Sequence, residues 1–245
     1  MSNHYDVVKG DVKTAFLCGG NEEGTREVYV EPTPELAAKL GISKEQLCKI
    51  EGSIYGLRNA PRRWWTRVCE TMRTQGWTQH ALDKCLFMLQ DKTGKLIGAC
   101  GVYVDDFLIT GDSKNSLFNS KVKLLYDTFE WGQWVTNDYV FCGIETKVTR
   151  ERIEQCQDRY AQSLDMINIG QQRKAHVEQE ATPSEVTAHR GIGGACNWLG
   201  TQTRPDLCME TSLVQGHNNG TLVKHLAQAN KLLRAAHEFL SLIHI

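Results

Sequence analysis

Residues 101–112 read GVYVDDFLITGD. Apolar residues flank two adjacent aspartates, Asp105 and Asp106, on both sides. Asp is depleted in strands, and neighbouring carboxylates repel one another. The simplest arrangement is a hairpin whose two-residue turn lies at Val104–Asp105 or Asp105–Asp106, with both carboxylates at the tip. That turn lacks the Gly or Asn that a type I′ geometry favours, so its conformation is held at some energetic cost. An exposed acidic turn is the commoner origin of such a pair. A cation site is the sharper alternative, because neighbouring carboxylates stay charged at neutral pH when a cation neutralises them, and hard oxygen donors suit Mg2+.

A second acidic position lies upstream, in VVKGDVKTAFL (7–17). Asp11 ends an apolar-leaning strand, and a turn or short helix begins at Thr14. A third carboxylate is what a two-ion site for phosphoryl displacement would need. An Asp at a strand end is also an ordinary helix cap, and Asp6 competes by position. Between these stretches, APRRWWTRVCETMRTQG predicts a helix from about Pro61 to Gln75, with Pro at its start and Gly76 at its stop. Trp65, Val68, Cys69 and Met72 recur on one face of it. Arg58, Arg62, Arg63, Arg67 and Arg73 surround Trp64 and Trp65. Arginines for phosphates and aromatics for stacking suit a nucleic-acid channel, and the same pattern also suits the solvated face of an amphipathic helix.

The remaining chain mixes strands and short helices without βαβ repetition, which predicts an α+β fold. EVYVEP reads as a strand, and TPELAAKLG as a helix capped by Thr33 and closed by Gly41. GGNEEGTR (19–26) reads as a loop, and KVKLLYDTF as a helix. DYVFCGIETKV and ERIEQC read as a hairpin, QDRYAQSLDMINIG as helical, QQRKAHVEQEATPSE as a polar linker, and the last segment as two or three amphipathic helices. The 245 residues carry a formal net charge of −1, so electrostatic attraction to nucleic acid must be local. Nine cysteines include no C-x-x-C pair, and eight histidines no H-E-x-x-H, which gives metal-knuckle and zinc-protease readings no support. Neither an 18-residue apolar run nor an apolar leader is present in the sequence, so a cytoplasmic or nuclear setting and no membrane partner are expected.

Taken in order, DVKTAFL (11–17), SIYGLRNAPRRWW (53–65), DKCLF (83–87), YVDDFLITGD (103–112), FCGIET (141–146), TP (182–183) and TRPDL (203–207) resemble the reverse transcriptase of copia-type LTR retrotransposons. The resemblance implies a right-hand polymerase: a palm of mixed antiparallel sheet and helices with partial fingers over 1–150, the end of a primer-grip hairpin and the thumb start over 151–180, and a helical segment over 181–245 leading toward an RNase H domain. It implies that Asp11, Asp105 and Asp106 are catalytic and bind two Mg2+ ions, with Mn2+ as the alternative. Asp11 and Asp105 carry the metals and Asp106 assists. Phe16 becomes the steric gate against ribose, with Tyr55 and Gly56 beside the nucleotide. Arg58 and Arg62 face template or nucleotide, and Phe141 and Gly143 belong to the primer grip.

The implied partners are an RNA or DNA template-primer, dNTPs and other parts of a retrotransposon polyprotein, in a cytoplasmic virus-like particle or the nucleus. The family's fingers lie upstream of DVKTAFL, and Cys18-Gly19-Gly20 replaces its usual Asn-Gly. The expectation is therefore a fragment or degenerate copy with little polymerase activity alone. Two other classes compete. One is a catalytically inactive nucleic-acid-binding relic. The other is a two-metal nuclease or nucleotidyl cyclase, which would need a water-activating His or Lys near Asp11. Lys121 and Lys123 are positional candidates for a general acid.

Overall fold

A computed structural model describes residues 5–20, 27–43, 45–238 and 243–244. Its contacts divide the chain into two units, Met1–Thr136 and Asn137–Ile245. This division precedes the sequence boundary at 150/151, because the hairpin after Thr136 joins a sheet of its own.

In the first unit, β1 (Val7–Val12) leads into a 3-10 turn over Ala15–Cys18. The strands β2 (Val28–Val30) and β3 (Cys48–Ile50) pair around α1 (Pro34–Leu40). Thr33 caps α1 by accepting from the Leu36 amide, and Gly41 closes it in the left-handed region, as their positions predict. Next come α2 (Ala60–Thr74), β4 (Thr78–Gln79), β5 (Leu86–Gln90), β6 (Leu96–Tyr103), β7 (Asp106–Gly111), α3 (Ser116–Thr128) and β8 (Trp131–Thr136). The strands form an antiparallel sheet in the order β4-β5-β6-β7-β1-β8.

Alternation along β5, β6 and β7 sends Phe87, Leu89, Cys100, Val102, Phe107 and Ile109 to one buried face. Trp64, Val68 and Met72 of α2 and Phe118 and Leu125 of α3 join them in one core. On α2 the deeply buried tryptophan is Trp64, while Trp65 is only partly buried, which corrects the apolar face read from spacing. The helix α3 begins ahead of the predicted stretch because Asn115 accepts from the amides of Leu117 and Phe118. Within the loop predicted over 19–26, residues 21–26 lie outside the described residues.

In the second unit, β9 (Asp138–Phe141), β10 (Ile144–Val148), β11 (Ile153–Cys156) and, after α4 (Asp158–Gln162), α5 (Gln171–Lys174), α6 (Pro183–Gln202), α7 (Cys208–Gln215) and α8 (Val223–Glu238), the short β12 (Ile243–His244) form a sheet ordered β12-β11-β10-β9. The helical reading of QDRYAQSLDMINIG is corrected: helix ends at Gln162. The Asn230 side chain accepts from the Ile167 amide and donates to its carbonyl, both at 2.8 Å, and Ile167 and Ile169 are buried in the helical core. The predicted linker is also corrected. Arg173 pairs with Glu185 at 2.8 Å, and Gln179 and Val177 accept backbone hydrogen bonds from Val223 and Lys224. Thr182 and Glu185 form a reciprocal capping box that starts α6. The mixed α+β class is thus observed in both units.

Candidate functional site

The acidic tip is resolved to one turn. Tyr103 pairs with Asp106, which leaves Val104–Asp105 as the turn. Val104 takes φ 57, a left-handed conformation that a β-branched residue adopts only under strain. Two contacts hold it there. The Trp64 indole Nε1 donates to the Val104 carbonyl at 2.6 Å, and the Val12 amide donates to the Asp105 carbonyl at 2.8 Å.

Asp11 and Asp106 stand directly opposite each other on β1 and β7. Residues opposed in an antiparallel pair share a face, and that face is opposite the one carrying the buried Val12, Phe107 and Ile109. The Asp11 carboxylate lies over Gly132, where a Cβ would overlap its Oδ2, and its Oδ1 accepts from the Gln133 amide at 3.1 Å. The Asp106 carboxylate pairs with Lys9 Nζ at 2.6 Å. Asp105 is exposed in the turn.

As chemistry, three carboxylates of this kind suit a hard divalent cation. In the present arrangement, no group of three His, Cys, Asp or Glu side chains among the described residues could hold a metal ion. Asp11 and Asp106 are instead engaged by Gln133 and Lys9.

The structure brings Phe16 and Tyr55 together, with ring centroids 5.5 Å apart in an edge-to-face contact. Gly56 follows at φ 92. Arg58 and Arg62 are exposed, just before and within the first turn of α2, while Arg63 is buried. Phe141 ends β9 and Gly143 is the second residue of the β9–β10 turn of the second unit, where Cys142 and Gly143 have φ 52 and 74, matching a type I′ connection. Asp6 lies at the far end of β1, where its carbonyl accepts from Thr110 Oγ1 at 3.0 Å. Lys123 is paired with Asp127 along α3 at 2.6 Å, and Lys121 Nζ lies beside Gly76.

Sequence reading missed Lys9, Gly132 and Gln133. The signal for Lys9 was present, since a residue two before Asp11 in a strand shares its face. Gly132 and Gln133 become neighbours of Asp11 only through the β1–β8 pairing.

A family model described as reverse transcriptase (RNA-dependent DNA polymerase) matches residues 1–177. Over 235 residues the chain is 30% identical to the Retrovirus-related Pol polyprotein from transposon RE1 of Arabidopsis thaliana, covering 91% of this chain and 15% of that polyprotein. It is 36% identical over 118 residues to the Pol polyprotein from transposon TNT 1-94 of Nicotiana tabacum, covering 47% of this chain and 8% of the relative. Over 236 residues it is 23% identical to the putative transposon Ty5-1 protein of Saccharomyces cerevisiae, covering 91% of this chain and 74% of that protein. No helix among the described residues is long and apolar enough to cross a membrane. With the family match running through both acidic stretches and the RE1 relative aligned along nearly the whole chain, the protein belongs to the reverse transcriptase family, in its copia-type retrotransposon branch.

Proposed function

We propose that the chain is the palm-bearing part of an RNA-directed DNA polymerase, acting within a longer retrotransposon polyprotein. The reading rests on one observation: Asp11 faces Asp106 across adjacent strands, with Asp105 in the adjoining turn, inside the stretch that matches the family. Asp11 and Asp105 would hold two Mg2+ ions, or Mn2+ in their place, with Asp106 assisting; when bound, the ions supply activation of a primer 3′-OH and stabilisation of leaving pyrophosphate. The chain's own residues position the reactants. Phe16, braced edge-on by Tyr55, is the gate that excludes a ribose 2′-OH, and Gly56 leaves room beside the nucleotide. Arg58 and Arg62 contact template or nucleotide phosphates from the exposed start of α2. Phe141 and Gly143 carry the primer grip, and the helices after it track the duplex backbone. The proposed functional partition is palm with partial fingers over 1–150, primer-grip hairpin end and thumb start over 151–180, and a helical segment over 181–245.

The Lys9–Asp106 ion pair favours a second reading, a nucleic-acid-binding relic that holds primer-template without extending it. Primer extension by a longer polyprotein segment that contains this chain, on RNA and DNA templates with dNTPs and Mg2+, separates the two; the chain alone is expected to extend little. The polymerase reading expects extension that Asp105→Asn abolishes, and full activity in that variant would sink it. Salt-sensitive binding without incorporation would select the relic.

A further inference from the structure

One positive group sits inside the acidic cluster and has no part in the polymerase reading above. Lys9 is two residues before Asp11 on β1, so both project from the same face of the sheet. Asp106 stands opposite Asp11 on β7, one step along the diagonal from Lys9. The ammonium of Lys9 reaches Asp106 Oδ1 at 2.6 Å. The two side chains are only 17% and 23% exposed, so solvent and salt screen this pair less than a surface ion pair. Other groups on this face include the Asp11 carboxylate, held by the Gln133 amide, Tyr103 in register with Asp106, Val135 beside Lys9, and Thr110, whose hydroxyl donates to the Asp6 carbonyl.

We propose that Lys9 is a tethered competitor for the divalent cation, so that metal enters the Asp11–Asp105–Asp106 site only by displacing the Lys9 ammonium from Asp106. This rests on the metal-site reading above and goes beyond it by assigning a control on occupancy. A Lys ammonium is a compact point charge on a flexible stem with three donors. Covalent attachment to the neighbouring strand gives it a high effective concentration at Asp106. It therefore satisfies the carboxylate while the cluster is free of metal and swings aside when a doubly charged ion arrives. The consequence is a raised metal requirement and a cluster that does not collect stray cations.

The test is a Mn2+ titration of the full chain, with free Mn2+ followed by electron paramagnetic resonance. Wild type is compared with Lys9→Met, Lys9→Gln, Lys9→Arg and Asp105→Asn. Removing the ammonium is expected to lower the apparent Kd for Mn2+ about tenfold, the scale of one partly screened charge contact. Lys9→Gln should match Lys9→Met, Lys9→Arg should stay near wild type, and Asp105→Asn should weaken binding in every background. If Lys9→Met fails to fold, judged by circular dichroism, the Gln and Arg variants carry the comparison. Unchanged or weaker binding in both neutral variants, with Asp105→Asn still weakening it, would overturn the role of Lys9 and leave the metal site standing. No binding in any variant, or binding indifferent to Asp105→Asn, would overturn the metal site and this inference with it.

Discussion

The Trp64 indole donates a 2.6 Å hydrogen bond to the carbonyl of Val104 across forty residues of sequence. Trp64 is 2% exposed and meets Phe129 edge-on, so the donor is fixed by the core. Val104 holds φ 57 at the acidic turn, and the next carbonyl, of Asp105, accepts from Val12. Helix α2 and strand β1 therefore clamp the turn from two sides, and a conformation costing about 1–2 kcal/mol persists because both neighbours over-determine it.

Trp64→Phe keeps an aromatic ring in the core and removes the donor. A loss of roughly 1–3 kcal/mol is expected from the unsatisfied carbonyl and the smaller ring. Urea unfolding measures it. Val104→Gly should move stability the other way, by about 1 kcal/mol, because glycine accepts the left-handed conformation without a clash.

Gly132→Ala is expected to disturb Asp11 while leaving the fold in place. A Cβ at Gly132 would overlap the Asp11 carboxylate, which must then leave the Gln133 amide. Metal-dependent extension should fall by roughly 100-fold or more, the scale seen when a reacting group is misplaced by about an ångström. Circular dichroism alongside the extension assay checks both halves.

In the second unit, TRPDL has a structural explanation. Arg204 is 3% exposed; it donates to the Ala235 and Ala236 carbonyls near the end of α8 and forms a bidentate pair with Asp206. Positive charge beside a helix C-terminus is favourable, and lysine cannot reproduce the planar fork. Arg204→Lys should cost about 2–4 kcal/mol, and Arg204→Met more, because the α8 carbonyls and Asp206 lose their donor. Denaturant titration of the two variants tests the order.

Acid should loosen the same helical unit. His189 is completely buried, and the rings of His217 and His225 stack with centroids 3.9 Å apart. Burial, foremost, lowers the pKa of both His189 and His225, and the nearby His217 adds to this for each. Arg190 acts in the same sense on His189, and Lys224 and His189 on His225, while Asn218 and Glu178 act in the opposite sense on His189 and His225 respectively. With folded pKa values below the unfolded value of about 6.5, the unfolded chain binds more protons under acid conditions. Stability should therefore be level above about pH 6.5 and fall as pH drops through that value. Unfolding free energies from pH 5 to 8 should show this slope, and His189→Leu should flatten it.

Local chemistry was legible along the chain because it acts over a few residues. Thr33 and Gly41 frame α1, Pro61 and the Gly76 stop frame α2, and alternation around Asp105 and Asp106 marks two strands and a turn. The ordered motifs identified the family for the same reason, since each is a short run of residue types. What the sequence could not state is which strand lies beside which. Only the order β7-β1-β8 puts Asp106 and Gly132 on either side of Asp11, and only the diagonal of that pairing delivers Lys9 to Asp106. The choice between Trp64 and Trp65 as the buried anchor likewise depends on how α2 rotates against the sheet. Register, rotation and burial depth are set by packing between residues far apart in the chain, so the capped helices and the acidic hairpin belong to the sequence, while the packed stretch from Ser163 to Glu180 and the contacts within the acidic cluster belong to the tertiary structure.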